Sequence, residues 1–370
     1  MALFEANDAP CAVALPVGVP TGDRSPIVTR YRRRPSLPQL AAALCCVTAA
    51  ACAPATVPTI PTTAPTPAIS PARPAIWGFT APWDARSDSS LRANASRLDV
   101  TVTGWIQLDS STGRPTQLYS DDPARASSTA TRLALVTSYH GQRFHPEAIR
   151  TLAADDRVLS VAAQRVGEIV AQGRYRGIVL DFEAQAPADT ALTIRVVRAF
   201  ADSARGRGAA LVAIAIPAAD TAAYPTRTFM SAADLLIVML YDEHWSTSAP
   251  GPIATPTWVR RTLGQRVAAV GASRIVAALP VYGYQWRSTQ QATPFSFEDA
   301  RRAAAQASVE LVRDPASQSL HAIQPGDWEL WQSDAELLRA LRAEVTSLGV
   351  TKIALWRLGL EDPGVWSVLR

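Results

Sequence analysis

From residue 75 to residue 370, short runs of apolar residues alternate with longer stretches in which apolar and polar positions follow a helical period. This alternation predicts a repeated strand and helix unit, which builds a mostly parallel sheet. Eight such strands are the number that closes a barrel. We therefore predict an α/β fold, a (β/α)8 TIM barrel, with strands at 76–80, 100–106, 133–138, 177–181, 209–216, 235–240, 275–281 and 353–356.

The stretches between the strands predict helices, several of which follow a Ser, Thr or Asp that could cap the first turn. These helices occupy 89–97, 159–171, 191–204, 257–270 and 334–348. The segment between the seventh and eighth strands, about 282–333, is too long for a single helix. It predicts a small α+β insertion with a helix near 298–307 and short strands around Leu311 and 328–331.

The composition fits one folded domain with a large core. The chain has 370 residues, of which 48% are hydrophobic and 18% charged, and α/β barrels of this size form one domain. Its net charge is only +4, and both signs are interspersed without a basic stripe, so no nucleic-acid partner is predicted. The four histidines show no metal-ligand spacing. We predict no metal, no cofactor and a monomer.

The first 52 residues differ from the rest and contain all four cysteines, so the barrel itself has neither disulfides nor thiolate ligands. A basic stretch, Arg30 to Arg34, precedes an apolar run of about a dozen residues, too short to span a bilayer as a helix. This order is typical of a signal peptide, and its distance from Met1 suggests a translation start further downstream. The run ends in Ala49-Ala-Ala-Cys52, which fits either a small-residue cleavage site or a bacterial lipobox that would lipidate Cys52.

Residues 53–74 are rich in Pro, Thr and Ala and too poor in large apolar side chains to pack. We predict an extended, polyproline-like linker between the signal and the barrel at 75–370; an O-glycosylated stalk is the alternative. These features together predict an extracytoplasmic protein of a bacterium, either secreted or held at the membrane as a lipoprotein.

Two acids, Asp181 and Glu183, stand at the end of the apolar strand predicted at 177–181. Strand side chains alternate between faces, so Val179, Asp181 and Glu183 share one side at spacings of roughly 7 Å. A like charge at that distance, together with partial burial, favours retention of one proton, which suits Glu183 as a general acid near neutral pH. The alternative is an ordinary strand end that meets solvent.

The ends of other predicted strands also carry polar and aromatic groups, in an order that resembles glycoside hydrolase family 18. The family signature has D-G-x-D-x-D-x-E on strand four, M-x-Y-D on strand six and a tryptophan on strand eight. Here these places hold 176–183, 239–242 and Trp356. Longer strings at 78–84, 241–245, 250–254 and 356–363 resemble the family 18 domains that bacteria fuse to polysaccharide deacetylases and membrane glycosyltransferases.

The sequence departs from the family pattern at two strands. Arg176 and Val179 replace the first two aspartates of the signature, and a valine cannot accept a proton. The third strand ends at 137–141 in T-S-Y-H-G, where many chitinases have S-x-G-G, so this wall of the cleft is expected to differ.

The resemblance implies a retaining, substrate-assisted mechanism in which the sugar's own 2-acetamido carbonyl is the nucleophile. Glu183 would protonate the leaving oxygen, and Asp181 would orient the acetamido N–H and stabilise the oxazolinium-like cation. Tyr241 would hydrogen-bond the acetamido oxygen, Asp242 would support the sugar or the acid, and Trp356 would form the apolar floor. Further aromatic residues at or just past strand ends are predicted to line the saccharide groove: Trp83, Trp105, Tyr139, Tyr282 and Trp286.

We therefore predict an exported retaining glycosidase whose partners are polysaccharides or oligosaccharides that contain N-acetylamino sugars, such as chitin-like, peptidoglycan or exopolysaccharide chains. A saccharide-binding barrel at the cell envelope that has lost turnover stays open, because Arg176 and Val179 replace signature aspartates. A purely structural envelope role ranks last, since a scaffold needs no cluster of acids and aromatic rings at strand ends.

Overall fold

Eight parallel strands close into a barrel in the computed structural model of the chain, which describes residues 73–119, 130–287 and 290–369. In chain order the strands of these residues are β1 (Ala75–Phe79), β2 (Val100–Leu108), β3 (Pro115–Gln117), β4 (Thr131–Thr137), β5 (Tyr139–His140), β6 (Arg143–Phe144), β7 (Gly177–Asp181), β8 (Leu211–Pro217), β9 (Leu235–Met239), β10 (Ile275–Pro280), β11 (Gly283–Arg287), β12 (Gln290–Phe295), β13 (Val312–Arg313), β14 (Leu320–Gln324), β15 (Trp328–Gln332) and β16 (Lys352–Trp356). The α-helices are α1 (Ala85–Asn94), α2 (Pro146–Ala154), α3 (Asp156–Gln172), α4 (Thr190–Arg205), α5 (Thr226–Met230), α6 (Pro256–Val270), α7 (Phe297–Ala307), α8 (Ala335–Ser347) and α9 (Val365–Val368).

The barrel runs through β1, β2, β4, β7, β8, β9, β10 and β16, and it closes where β16 pairs with β1. The short strand β3 adds an antiparallel pairing outside this ring, on β2. The predicted TIM barrel and its eight strands are therefore confirmed.

The pleat of each strand separates two apolar layers. On β7, Ile178 and Leu180 belong to the outer layer, which the strands share with the surrounding helices, whereas Val179 belongs to the barrel interior. Because side chains alternate along a strand, Asp181 and Glu183 continue the inward-facing series. The acid pair therefore stands at the carboxyl end of the barrel, the end where active sites of this fold lie.

The helix predictions hold less well than the strand predictions. The helix predicted at 89–97 has the wrong start: α1 begins at Ala85, because the Asp84 side chain accepts a hydrogen bond from the main-chain N–H of Arg86 and caps the first turn. Helices α2, α5 and α9 were not predicted, and all three are short. The other four predicted helices correspond to α3, α4, α6 and α8.

The insertion between β10 and β16 contains α7 and a five-stranded sheet in the order β12, β11, β15, β14, β13. Its predicted helix, the strand at 328–331 and the short strand around Leu311, which is β13, are confirmed, whereas β11, β12 and β14 were not predicted. Trp328 and Leu330 pack with α7, while Tyr284 and Trp286 belong to the cluster that fills the barrel interior. One face of the insertion sheet thus forms a wall at the mouth of the barrel.

The predictions for the signal, for lipidation of Cys52 and for the linker up to residue 72 lie outside the described residues and stay predictions. In the part of the chain that the structure describes, no helix combines the length and the apolar character needed to cross a membrane.

Candidate active site

The acid pair lies at the end of β7 with its carboxyl groups turned into the barrel. Between the two acids, Phe182 points outward and its ring contacts Phe200 of α4 edge-on, at 6.1 Å between centroids. The side chains of Asp181 and Glu183 are hydrogen-bonded to each other, and the residues are only 7% and 2% exposed. The predicted shared side of the strand is therefore observed, and the two carboxyl groups act as one unit.

Thr137, at the end of the neighbouring strand β4, holds Asp181 in place. Its hydroxyl donates to Oδ2 of Asp181 at 3.0 Å, and the same hydroxyl oxygen accepts a hydrogen bond from the main-chain N–H of Tyr139 at 3.0 Å. Because the Tyr139 N–H occupies a lone pair of Thr137, the threonine proton is committed to Asp181.

Burial raises the pKa of Asp181 to about 6, against the opposing hydrogen bonds from Thr137 and Glu183. A hydrogen bond lowers the pKa of a carboxyl group when it is donated to the charged form. The hydrogen bond from Glu183 therefore favours the charged form of Asp181. Val179, fully buried behind Asp181, offers no polar group on the opposite side.

The backbone is strained at two places in the site, directly after Glu183 and directly after Tyr241. Ala184 has φ 57° and Asp242 has φ 61°, both in the left-handed region that favours glycine. Such a conformation costs of order 1–3 kcal/mol per residue and persists only where the surroundings impose it. Both strained residues directly follow a predicted site residue, Glu183 and Tyr241.

Trp356, at the end of β16, forms a half-buried aromatic floor beside this unit. Its ring is nearly parallel to that of Tyr241, at 6.1 Å between centroids and an interplanar angle of 16°, and it meets Phe79 edge-on at 5.4 Å. The peptide bond from Trp356 to Arg357 is cis. Flat, partly exposed rings of this kind are suited to the apolar face of a sugar.

Asp242 sits beneath the aromatic residues that follow β10. The hydroxyl of Tyr282 donates to its Oδ1 at 2.5 Å. Burial raises the pKa of Asp242 to about 7, and the hydroxyls of Tyr282 and Tyr284 oppose this rise. Burial also raises the pKa of Tyr282 well above its usual value, so this hydroxyl stays a donor at neutral pH.

The remaining predicted aromatic residues lie around the mouth of the barrel, but they differ in how exposed their side chains are. Trp83 is half-buried and meets Trp105 edge-on at 4.6 Å. Trp105 and Trp286 are buried, and their indole N–H groups donate to the carbonyls of Thr80 at 2.9 Å and Ser248 at 3.1 Å. Both therefore pack behind the surface of the groove. Half-buried Tyr139 lies on the hairpin of β5 and β6 and contacts Phe144.

Among residues 73–119, 130–287 and 290–369, no group of three or more His, Cys, Asp or Glu side chains is placed to hold a metal ion.

Two residues that shape the site, Thr137 and Tyr284, are not among those predicted from the sequence. Thr137 was noted only as part of an unusual strand end, although its register opposite Asp181 makes it the nearest neighbouring donor. Tyr284 is not among the predicted site residues, and its hydroxyl opposes the rise that burial causes in the pKa of Asp242. The sequence could have indicated Thr137 only through its place at the end of a buried strand next to the strand that carries Asp181.

The fold and this arrangement of groups define the class of the protein: a (β/α)8 barrel with an acid pair at its carboxyl end. No family model matches the chain. It is 26% identical over 251 residues to the putative sporulation-specific glycosylase YdhD of Bacillus subtilis, an alignment that covers 64% of this chain and 60% of that protein. The chain thus spans less than two thirds of the length of this curated relative.

Solved structures show the same fold. A chitinase from Chromobacterium violaceum superposes with a TM-score of 0.70 at 21% identity, covering 80% of this chain and 98% of the chitinase. The spore cortex-lytic enzyme SleL of Bacillus megaterium gives a TM-score of 0.72 at 18% identity, covering 81% of this chain and 74% of that enzyme. These likenesses confirm the predicted resemblance at the level of the chitinase-like barrel.

Proposed function

We propose that the protein is a retaining glycosidase that hydrolyses polysaccharide containing N-acetylamino sugars by substrate-assisted catalysis. The observation that carries this proposal is the buried, hydrogen-bonded pair of Asp181 and Glu183 at the barrel mouth. We assign the proton of this pair to Glu183 and the negative charge to Asp181. The names of the similar proteins, a sporulation-specific glycosylase, a spore cortex-lytic enzyme and a chitinase, support this class of substrate.

The reaction begins with a sugar seated on Trp356 with its 2-acetamido group toward Asp181. Glu183 donates its proton to the glycosidic oxygen as the bond from that oxygen to C1 breaks. The acetamido carbonyl oxygen attacks C1 and forms an oxazolinium-like cation. Asp181 accepts a hydrogen bond from the acetamido N–H and stabilises the positive charge, an interaction strengthened by its burial.

The second half of the reaction reverses these roles. The Glu183 carboxylate takes a proton from water as the water oxygen adds to C1, and the acetamido carbonyl leaves. Two displacements at C1 retain the anomeric configuration. Tyr241 hydrogen-bonds the acetamido oxygen, and Asp242, held by Tyr282, supports the sugar.

A second candidate function is a saccharide-binding barrel without turnover, and one observation favours it. Val179 is fully buried next to Asp181 and cannot share the proton that Asp181 would otherwise pass on. This reading predicts that oligosaccharide binding survives Glu183→Gln and that wild type forms no product. It also predicts that Val179→Asp creates activity.

The deciding experiment compares wild type with Glu183→Gln on chitooligosaccharides and on peptidoglycan glycan strands. We expect hydrolysis by wild type and a loss of about 10²-fold or more in kcat for the variant, the usual scale of general-acid catalysis. Glu310→Gln, which neutralises an exposed carboxylate of the insertion, is the matched control and should be as active as wild type. Equal rates for wild type and Glu183→Gln would refute the role of Glu183.

We also propose that the protein acts outside the cytoplasm, with the barrel tethered behind a signal that ends at Cys52. Expression in a bacterium with fractionation of the cell tests this. Membrane association that is lost in Cys52→Ser supports lipidation, and release of both proteins into the medium supports plain secretion. Retention of both proteins in the cytoplasm would overturn the proposal.

A further inference from the structure

Arg266 of α6 is a fully buried cation that binds main-chain carbonyls. Its relative exposure is 0%, and none of its hydrogen bonds goes to a carboxylate. Nη2 donates to the carbonyls of Pro217 and Asp220, both at 2.7 Å, and Nε donates to that of Ala218 at 3.2 Å. Nη1 donates to the carbonyl of Tyr224 at 2.6 Å and to the hydroxyl of Thr226 at 2.9 Å.

These five hydrogen bonds fix one segment, the loop from Pro217 to Thr226 that follows β8. Burial lowers the pKa of Arg266 to about 10, so the guanidinium remains charged at neutral pH. The nearby charge of Asp220 raises this pKa in opposition to burial. A buried charge is costly unless it is paired and its donors are hydrogen-bonded. An apolar side chain here would leave four carbonyls and the Thr226 hydroxyl without these donors, so the conformation of the loop depends on Arg266.

The loop delivers the hydroxyl of Tyr224 to the backbone on either side of Glu183. This hydroxyl donates to the carbonyl of Phe182 at 2.9 Å and accepts a hydrogen bond from the N–H of Gln185 at 3.2 Å. Burial raises the pKa of Tyr224 well above its usual value, so the hydroxyl keeps its proton and both bonds. The side-chain amide of Gln185 donates to the carbonyl of Glu183 itself at 3.0 Å.

We propose that Arg266 and Tyr224 are positioning residues for Glu183. The Arg266 guanidinium holds the carbonyl of Tyr224, and the Tyr224 hydroxyl holds the main chain at Phe182 and Gln185. This inference rests on the proposed function of Glu183 as proton donor. Neither residue faces the sugar, and both act through the backbone. The left-handed Ala184 lies between the two points that Tyr224 holds, so the hydroxyl clamps the strained turn from both sides.

The placement of this clamp has a direct consequence for proton transfer. Glu183 is a long side chain on a turn that would relax if Ala184 left the left-handed region. Misplacement of a catalytic group by about 1 Å can lower the rate about 10²-fold. Substrate binding through Trp356 and Tyr241, on other strands, would be affected far less.

The test uses Tyr224→Phe, which removes only the hydroxyl and keeps the ring packed on Phe229, 5.2 Å away. We expect kcat to fall about 10- to 100-fold while KM stays within about threefold. The acidic limb of the pH profile should move to higher pH, because a displaced Glu183 no longer donates to Asp181. Arg266→Lys, which keeps the charge but offers at most three donors, should show the same pattern in kcat.

Thr262→Val is the matched control. Thr262 lies on the same helix as Arg266, is buried, and donates only to carbonyls within that helix, of Trp258 and Val259. It should lower the melting temperature without changing kcat or the pH profile. A kcat loss in Thr262→Val equal to that in Tyr224→Phe would overturn the inference, because general destabilisation would then account for both.

Hydrogen exchange at the Gln185 amide gives a reading that needs no turnover. Exchange should be faster in Tyr224→Phe and Arg266→Lys and unchanged in Thr262→Val. Faster exchange with an unchanged kcat overturns the inference and leaves the proposed function standing. If wild type shows no hydrolysis, the proposed function fails and the role of Tyr224 and Arg266 in proton transfer fails with it. If wild type is active, unchanged exchange in Tyr224→Phe overturns the inference and leaves the proposed function standing.

Discussion

Thr137→Val tests how the charge of Asp181 is maintained. The substitution replaces a buried hydroxyl with a methyl group of similar size, so packing is nearly kept while the 3.0 Å hydrogen bond to Asp181 is lost. That bond lowers the pKa of Asp181, which burial nevertheless raises to about 6. Without it, more of Asp181 is protonated at neutral pH and cannot stabilise the cation.

The size of the effect follows from the strength of the lost bond. A hydrogen bond to a charged group is worth about 1.5–3 kcal/mol, which corresponds to a rise of about one to two pH units in the pKa of Asp181. The acidic limb of kcat/KM, expected near pH 6 in wild type, should move to about pH 7 or above. At pH 7 the rate should fall about 2- to 10-fold, and the deficit should shrink as the pH rises.

Initial rates on a chitooligosaccharide between pH 5 and pH 8 measure this movement. Thr137→Ser keeps the hydroxyl and is the matched control, with an acidic limb at the wild-type position. Circular dichroism of each variant verifies that the barrel is folded. Identical acidic limbs for wild type and Thr137→Val would refute the reasoning, as would an equal displacement in Thr137→Ser.

Three further predictions concern charge, stacking and stability. Because the pKa of Asp181 is raised, the folded protein binds more protons than the unfolded chain between about pH 4 and pH 6. As the pH rises through that window, this group lowers the free energy of unfolding of wild type by about 3 kcal/mol. Asp181→Asn should lose turnover and be more stable than wild type above pH 6 in urea unfolding; equal stability at pH 7 would contradict this. Trp356→Ala, made in a Glu183→Gln background, should weaken chitooligosaccharide binding about tenfold or more in calorimetry, because an apolar contact is lost; unchanged affinity would remove Trp356 from the site. Arg357→Met should destabilise the fold by about 3 kcal/mol, because the Asp84 carboxylate loses the buried Arg357 guanidinium that lies 3.0 Å from it. Arg86→Met, which removes a half-exposed partner of the same carboxylate, is the control and should cost about 1 kcal/mol or less.

The sequence predicts those parts of the molecule that depend on local order. Apolar alternation was sufficient to place all eight barrel strands, and the alternation of β7 was sufficient to place Asp181 and Glu183 on the same inner side. The strand ends then brought Tyr241 and Trp356 to one mouth, because parallel strands end at the same edge.

The contacts that tune these groups depend on partners far apart in the chain. Thr137 lies 44 residues from Asp181, and Arg266 lies 42 residues from Tyr224. Such pairs follow from strand register and loop conformation, which no periodicity encodes. The start of α1 was predicted wrongly for a local reason. Asp84 caps the helix because its backbone is extended, and the sequence does not show that conformation.

The central claim is that Glu183 supplies the proton while the sugar supplies its own nucleophile. The most direct measurement is the anomeric form of the product in the first minutes of chitotetraose hydrolysis by wild type, followed by proton NMR before mutarotation. Our account predicts that the β-anomer appears first, as two displacements at C1 require. An α-anomer that appears first, or the absence of any product, would contradict it.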